Sequence, residues 1–121
     1  MAKILIIEDD AVLQKVLGEY LTGEKFDVKS ALDGEIGVQM ALSENPNLIL
    51  LDIILPKKNG YEVLKELRAN EQTKNVPIIL LTNLDGIADV EKALELGATT
   101  YLVKADYKLE EVAAKIKELL G

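Results

Sequence analysis

The residues best suited to chemistry in this 121-residue sequence stand directly after apolar runs. Ile4-Leu5-Ile6-Ile7 is followed by Glu8-Asp9-Asp10. Leu48-Ile49-Leu50-Leu51 ends in Asp52, Ile78-Ile79-Leu80-Leu81 in Thr82, and Tyr101-Leu102-Val103 in Lys104. An unbroken apolar run is how a strand covered on both faces reads. A polar residue that closes such a run lies at the strand's carboxyl end. In an open parallel sheet, that edge is where ligands bind. Singly, each residue has an ordinary explanation. Asp52 suits a loop start, the acidic triplet suits the positive end of a helix dipole, Thr82 is β-prone, and Lys104 is a solvated charge. Four such endings on one predicted edge carry more weight than any one of them.

The chemistry follows from the residue types. Two carboxylates about 4 Å apart repel by roughly 4 kcal/mol at an effective dielectric of about 20. A hard divalent cation offsets that cost, and Mg²⁺ binds a few carboxylates while keeping some waters. The chain has no His and no Cys, which disfavours softer metals and removes thiol chemistry. Open coordination positions suit a phosphoryl oxygen. Thr82 donates a hydrogen bond and Lys104 a positive charge, which is much of what phosphoryl transfer asks of a protein. Asp52, central in the set, is a carboxylate able to attack phosphorus.

The elements that must position these residues read in order along the chain. After the first strand, Val12, Leu13, Val16, Leu17, Tyr20 and Leu21 recur at helix-face spacings and cover about half the circumference. That stripe is wider than an amphipathic helix needs. It fits either a deeply buried helix or one whose edge stays exposed for a partner. Gly23 is the expected left-handed cap. Residues 26–31 alternate and read as a half-exposed edge strand. Asp33 precedes a second helix that Asn45-Pro46-Asn47 ends. Asn59 and Glu62 suit a capping pair for a third helix. Asp85 or Gly86 starts a fourth, stopped by Gly97, and Leu109 to Leu120 form the fifth. Strand and helix alternate five times, which predicts an α/β fold with a parallel sheet covered on both faces. Burial of the three most apolar strands and right-handed crossovers favour the order 2-1-3-4-5, a doubly wound (βα)5 flavodoxin-like sheet, an order that rests in part on a family resemblance. Glu8, Asp9 and Asp52 then converge where the strand order reverses.

Composition narrows the classes. Residues 1–121 suit one domain. A net charge of −7 argues against direct binding to nucleic acid or an anionic membrane. No apolar run approaches the roughly 20 residues that span a bilayer, and the N-terminus lacks a signal-peptide pattern, so the expected location is the cytoplasm.

The segments Ile6-Ile7-Glu8-Asp9-Asp10, Leu50-Leu51-Asp52-Ile53-Ile54-Leu55-Pro56-Lys57-Lys58-Asn59-Gly60, Leu80-Leu81-Thr82 and Tyr101-Leu102-Val103-Lys104 resemble the receiver domain of two-component response regulators. The resemblance is to the single-domain, chemotaxis-regulator-like kind and runs along the whole chain, in order and with the usual spacings. It implies that Asp52 accepts a phosphoryl group from the phosphohistidine of a sensor kinase or phosphotransfer domain. Glu8, Asp9, Asp52 and the backbone carbonyl of Ile54 would hold Mg²⁺. Thr82 and Lys104 would contact the phosphoryl group. Tyr101 would turn inward as Thr82 moves, changing a face of the fourth helix, fifth strand and fifth helix that a downstream effector reads. A homodimer of the activated form is a further expectation. Such a chain is a signalling module, not an enzyme with a separate substrate, although it catalyses its own phosphorylation and slow dephosphorylation.

The chain departs from the family pattern at three places. Ala105 replaces the usual proline, often cis, after the lysine; a cis bond without proline costs roughly 2.5–4 kcal/mol, so a trans bond is expected. Asn83 replaces a small residue, and Asn59 stands where many receivers have Asp. Ile54 and Leu84 occupy the positions that flank the approach of hydrolytic water. Neither side chain can orient that water, which predicts a long-lived phosphorylated state. Two other readings compete. A flavin or nucleotide enzyme on the same sheet needs a phosphate-cradling loop after the first strand, where the acidic triplet stands instead. A receiver used only for docking has no use for the intact acid, Asp, Thr and Lys set.

Overall fold

The structure is a computed structural model and describes residues 1–82, 87–103 and 108–121. Strands and helices alternate: β1 (Lys3–Ile7), α1 (Ala11–Gly23), β2 (Asp27–Ala31), α2 (Gly34–Glu44), β3 (Leu48–Asp52), α3 (Gly60–Ala69), β4 (Ile78–Thr82), α4 (Ile87–Glu95), β5 (Thr100–Val103) and α5 (Leu109–Leu120). The five strands form one sheet in the order β2-β1-β3-β4-β5, every neighbour pair parallel. This is the flavodoxin-like arrangement the sequence predicts.

The apolar runs are continuous because successive residues feed opposite cores. Leu5, Ile7, Ile49, Leu51, Ile78 and Leu80 pack with α2, α3 and α4 through Ala41, Val63, Leu64, Leu67 and Ala93. Ile4, Ile6, Leu48, Leu50, Ile79 and Leu81 pack with α1 and α5 through Leu17, Leu21, Val112 and Ile116. Side chains on a strand alternate faces, so a strand with a core on both sides has no position for a polar residue until it ends. The first polar residue after each run therefore marks the sheet edge.

Local hydrogen bonding sets the helix ends. Asp33 accepts from the Ile36 amide at 2.8 Å and caps α2, and Asn59 accepts from the Glu62 amide at 3.1 Å, the cap expected for α3. Gly60 is the first residue of α3. Asn45 takes the left-handed conformation after α2, and Gly97 (φ 113°) does so after α4. The expected start of α4 at Asp85 or Gly86 lies outside the described residues.

The end of α1 corrects an expectation. Gly23 is not the left-handed cap: it is the last helical residue, and the positive φ, 76°, belongs to Lys25. The reason is a nested pair of bonds, Lys25 N–H to the Thr22 carbonyl and Phe26 N–H to the Leu21 carbonyl, both 3.1 Å. This pairing puts Phe26 into the core that holds Leu21. It defines a Schellman ending, in which the left-handed residue stands just before the apolar one. Burial of Phe26 offsets the roughly 1–2 kcal/mol that a non-glycine residue costs in that conformation. Strand β2 accordingly starts at Asp27, one residue later than the alternation suggests.

Arg68 ties α3 to the turn after α4. Its guanidinium donates to the carbonyls of Gly97 (2.9 Å), Thr73 (2.9 Å) and Lys74 (3.1 Å). Partial burial pushes its pKa below the usual arginine value. No helix among the described residues is long and apolar enough to cross a membrane.

Candidate metal and phosphoacceptor site

The register of the sheet builds the site. Ile7 pairs with Leu51, so Glu8 and Asp52 emerge level with each other on adjacent strands. Asp52 pairs with Leu81, which places Thr82 one step further along the next strand. Parallel neighbours are about 4.8 Å apart, close enough for side chains on adjacent strand ends to meet. Glu8, Asp9 and Asp52 each bring a carboxylate oxygen within 4.8 Å of the others. Glu8 and Asp52 are buried, while Asp9 is exposed. Thr82 is buried at the end of β4.

The three acidic residues after β1 have separate tasks. The Glu8 amide extends the β1–β2 ladder by donating to the Ala31 carbonyl at 3.0 Å. Glu8 Oε2 accepts from the Asp10 amide at 3.0 Å. Asp10 turns away from the cluster and caps α1, accepting from the amides of Val12 (3.0 Å) and Leu13 (3.1 Å). The helix-terminus explanation of the acidic triplet thus holds for Asp10, while Glu8 and Asp9 face Asp52 in the carboxylate cluster. An Asp directly before a helical apolar pattern is the sequence signal for such a cap.

On the other side, the Ile54 amide donates to Asp52 Oδ1 at 3.2 Å, and the Gly60 amide donates to the Ile53 carbonyl at 2.7 Å. A side chain at Gly60 would put Cβ 2.5 Å from Ile53 Cα and 2.7 Å from the Asp52 carbonyl. The start of α3 therefore lies directly against the chain that leaves Asp52. Ile54 itself points outward and is 66% exposed.

Tyr101 pairs with Leu80, two residues before the level of Thr82, and shares its sheet face. Its side chain is 40% exposed. Lys104, Asn83, Leu84 and Ala105 lie outside the described residues. One contributor that sequence reasoning missed is Gln14, whose side-chain amide reaches the carbonyls of Glu8 (3.2 Å) and Ala31 (3.1 Å).

The donor set fits Mg²⁺. It consists of carboxylate oxygens, with no imidazole or thiolate anywhere in the chain. Oxygen-only sites of this kind suit hard cations.

Comparison with known proteins agrees with this geometry. Residues 4–117 match the family described as "Response regulator receiver domain". A curated relative, "Probable transcriptional regulator ycf27" of Porphyridium aerugineum, is 42% identical over 98% of this chain and 48% of its own length. The chain spans about half the length of the curated relatives it matches first. Among solved structures, the receiver domain of sensor histidine kinase PA1611 from Pseudomonas aeruginosa superimposes with a TM-score of 0.91 at 33% identity, covering 99% of this chain and 98% of that one; it was solved with a magnesium ion coordinated in its active site cleft. The BeF3-activated N-terminal receiver domain of Klebsiella pneumoniae RstA gives a TM-score of 0.90 at 32% identity, covering 98% of this chain and 97% of that one. With the sheet order, the acidic pocket and the family match in agreement, the chain belongs to the response regulator receiver domains of two-component systems, signalling modules and not enzymes in the ordinary sense.

Proposed function

We propose that residues 1–121 act as a phosphoacceptor receiver in which Asp52 takes a phosphoryl group from the phosphohistidine of a sensor kinase or phosphotransfer domain. The observation that carries this reading is the convergence of Glu8, Asp9 and Asp52 at two adjacent strand ends. An Asp52 carboxylate oxygen attacks phosphorus in line with the histidine nitrogen. The O–P bond forms as the N–P bond breaks, and the electron pair returns to the imidazole. Glu8, Asp9, Asp52 and the Ile54 carbonyl would hold Mg²⁺, which when bound neutralises charge on the transferring group. The Ile54 amide holds one oxygen of Asp52 and so orients the nucleophile. Thr82 supplies a hydroxyl beside the acceptor, and Lys104, directly after β5, supplies the counter-charge.

Phosphorylation then draws Thr82 toward the phosphoryl oxygen, and half-exposed Tyr101 follows on the same sheet face. The face of α4, β5 and α5 changes for a downstream effector or a second copy of the chain. The kinase would approach beside Asp52, where Val12 (73% exposed) and Val16 (43%) form the outer edge of α1. The chain would act in the cytoplasm.

The test is intact-mass and peptide mapping after incubation with acetyl phosphate and Mg²⁺. One base-labile phosphoryl group on Asp52, absent in Asp52→Asn, is the expected result. Modification at another residue, or its persistence in Asp52→Asn, overturns the assignment.

A further inference from the structure

We infer that Gln14 is a positioning residue for the acidic cluster, acting through the backbone of the β1–α1 connection. It lies one turn inside α1, where a glutamine side chain is ordinarily solvated. Here it folds back to the strand ends. Its Nε2 lies 3.2 Å from the Glu8 carbonyl and 3.1 Å from the Ala31 carbonyl. Both facing atoms are acceptors, so only the NH₂ end of the amide can meet them. Its own backbone amide donates to the Asp10 carbonyl at 2.9 Å. Gln14 therefore grips the connection at Glu8 and at Asp10, and Asp9 lies between the two grips.

The arrangement matters because the carbonyl of Glu8 has passed the end of the β1–β2 ladder. The last ladder bond is the one from the Glu8 amide to the Ala31 carbonyl, 3.0 Å. Beyond it, strand pairing no longer fixes the chain. The Gln14 amide bridges that last acceptor and the next carbonyl, carrying the order of the sheet one residue further. Two of the three clustered carboxylates sit on the segment held this way. Groups that orient metal-binding residues without touching the metal commonly tune its affinity.

The inference rests on the Mg²⁺-binding reading above, and the experiment separates the two. Gln14→Met keeps the length and the backbone amide but removes both side-chain bonds. Gln14→Asn keeps the amide but is too short to reach the carbonyls, and serves if the Met variant folds poorly. Mg²⁺ affinity, read from amide chemical shifts, should weaken on the order of tenfold in either variant. Phosphorylation by acetyl phosphate should slow at low Mg²⁺ and recover at saturating Mg²⁺. In metal-free protein, the Glu8 and Asp10 amides should exchange with solvent faster, while amides in β4 keep their wild-type rates. Lys15→Met, on the exposed side of the same turn, should leave the affinity unchanged. A wild-type Mg²⁺ affinity retained in both Gln14 variants overturns the inference alone, including where the melting temperature falls. Wild-type protein that binds no Mg²⁺ overturns the metal reading, and the inference with it.

Discussion

The two connections that border the carboxylate cluster are built differently. The β1–α1 connection, residues 8–10, is short and held by polar bonds from the Glu8 side chain, the Asp10 side chain and Gln14. The β3–α3 connection, residues 53–59, is longer and rests on apolar and backbone contacts, with side-chain bonds at its far end from Lys58 to Glu66 (2.6 Å) and from the Glu62 amide to Asn59. Ile53 and Leu55 are buried, and Gly60 and Gly34 let the helix starts approach its backbone. Lys57 turns through a positive φ of 70°, while the Lys58 amide reaches the Pro56 carbonyl at 2.8 Å. The first connection presents the clustered carboxylates of Glu8 and Asp9, and its geometry is set by side-chain hydrogen bonds. The second carries the chain away from Asp52 and buries Ile53 and Leu55 in the core. Changes at Glu8, Asp9 and Gln14 should therefore act mainly on the proposed metal binding, and changes at the Asp10 cap and in the second connection mainly on stability.

Gly60→Ala is the largest expected break. Its Cβ would collide with backbone at Ile53 and Asp52, which cannot swing aside as a flexible side chain does. A loss of about 3 kcal/mol is expected by chemical denaturation, at the upper end for overpacking. A loss below about 0.5 kcal/mol would mean that the β3–α3 connection is as adaptable as its counterpart, in the range of ordinary surface changes.

Asp10→Ala tests the polar connection at the residue that turns away from the cluster. It removes two bonds to the first turn of α1 and should cost about 1 kcal/mol. That loss should be nearly the same with and without Mg²⁺, read from paired thermal melts. A loss that appears only with Mg²⁺ would place Asp10 among the metal-binding groups.

Asp9→Asn should move stability least and metal response most. Mg²⁺ stabilises whichever state assembles the site, so wild-type melting temperature should rise with Mg²⁺ by mass action. The variant should lose most of that rise. In metal-free buffer it should gain less than about 1 kcal/mol, because Asp9 is exposed and its repulsion with Glu8 and Asp52 is screened. Equal Mg²⁺ responses in the two proteins would remove Asp9 from the site.

What the sequence determined by itself is the periodic part. Unbroken apolar runs of only four residues, closed by polar ones, read as strands buried on both faces, so Ile4 to Ile7, Leu48 to Leu51 and Ile78 to Leu81 set the central strands. Their first polar successors, Glu8, Asp52 and Thr82, set the site. Caps were legible where the side chain bonds its own helix, as at Asp33 and Asn59. The family resemblance rested on the same residues. Tertiary structure alone decided which edge of the α1 stripe stays in solvent: Leu17 and Leu21 are buried while Val12 is 73% exposed, although all are equally apolar in the sequence. It also decided that Lys25, not Gly23, turns left-handed, because Phe26 had to reach the core beside Leu21. The reach of Arg68 to Gly97, the hold of Gln14 on Glu8 and Ala31, and the approach of Gly60 to Ile53 were likewise not legible. Each of these contacts meets the backbone of a different element or connection. Main-chain groups are chemically alike at almost every residue, so no letter of the sequence marks the one that a distant residue will meet.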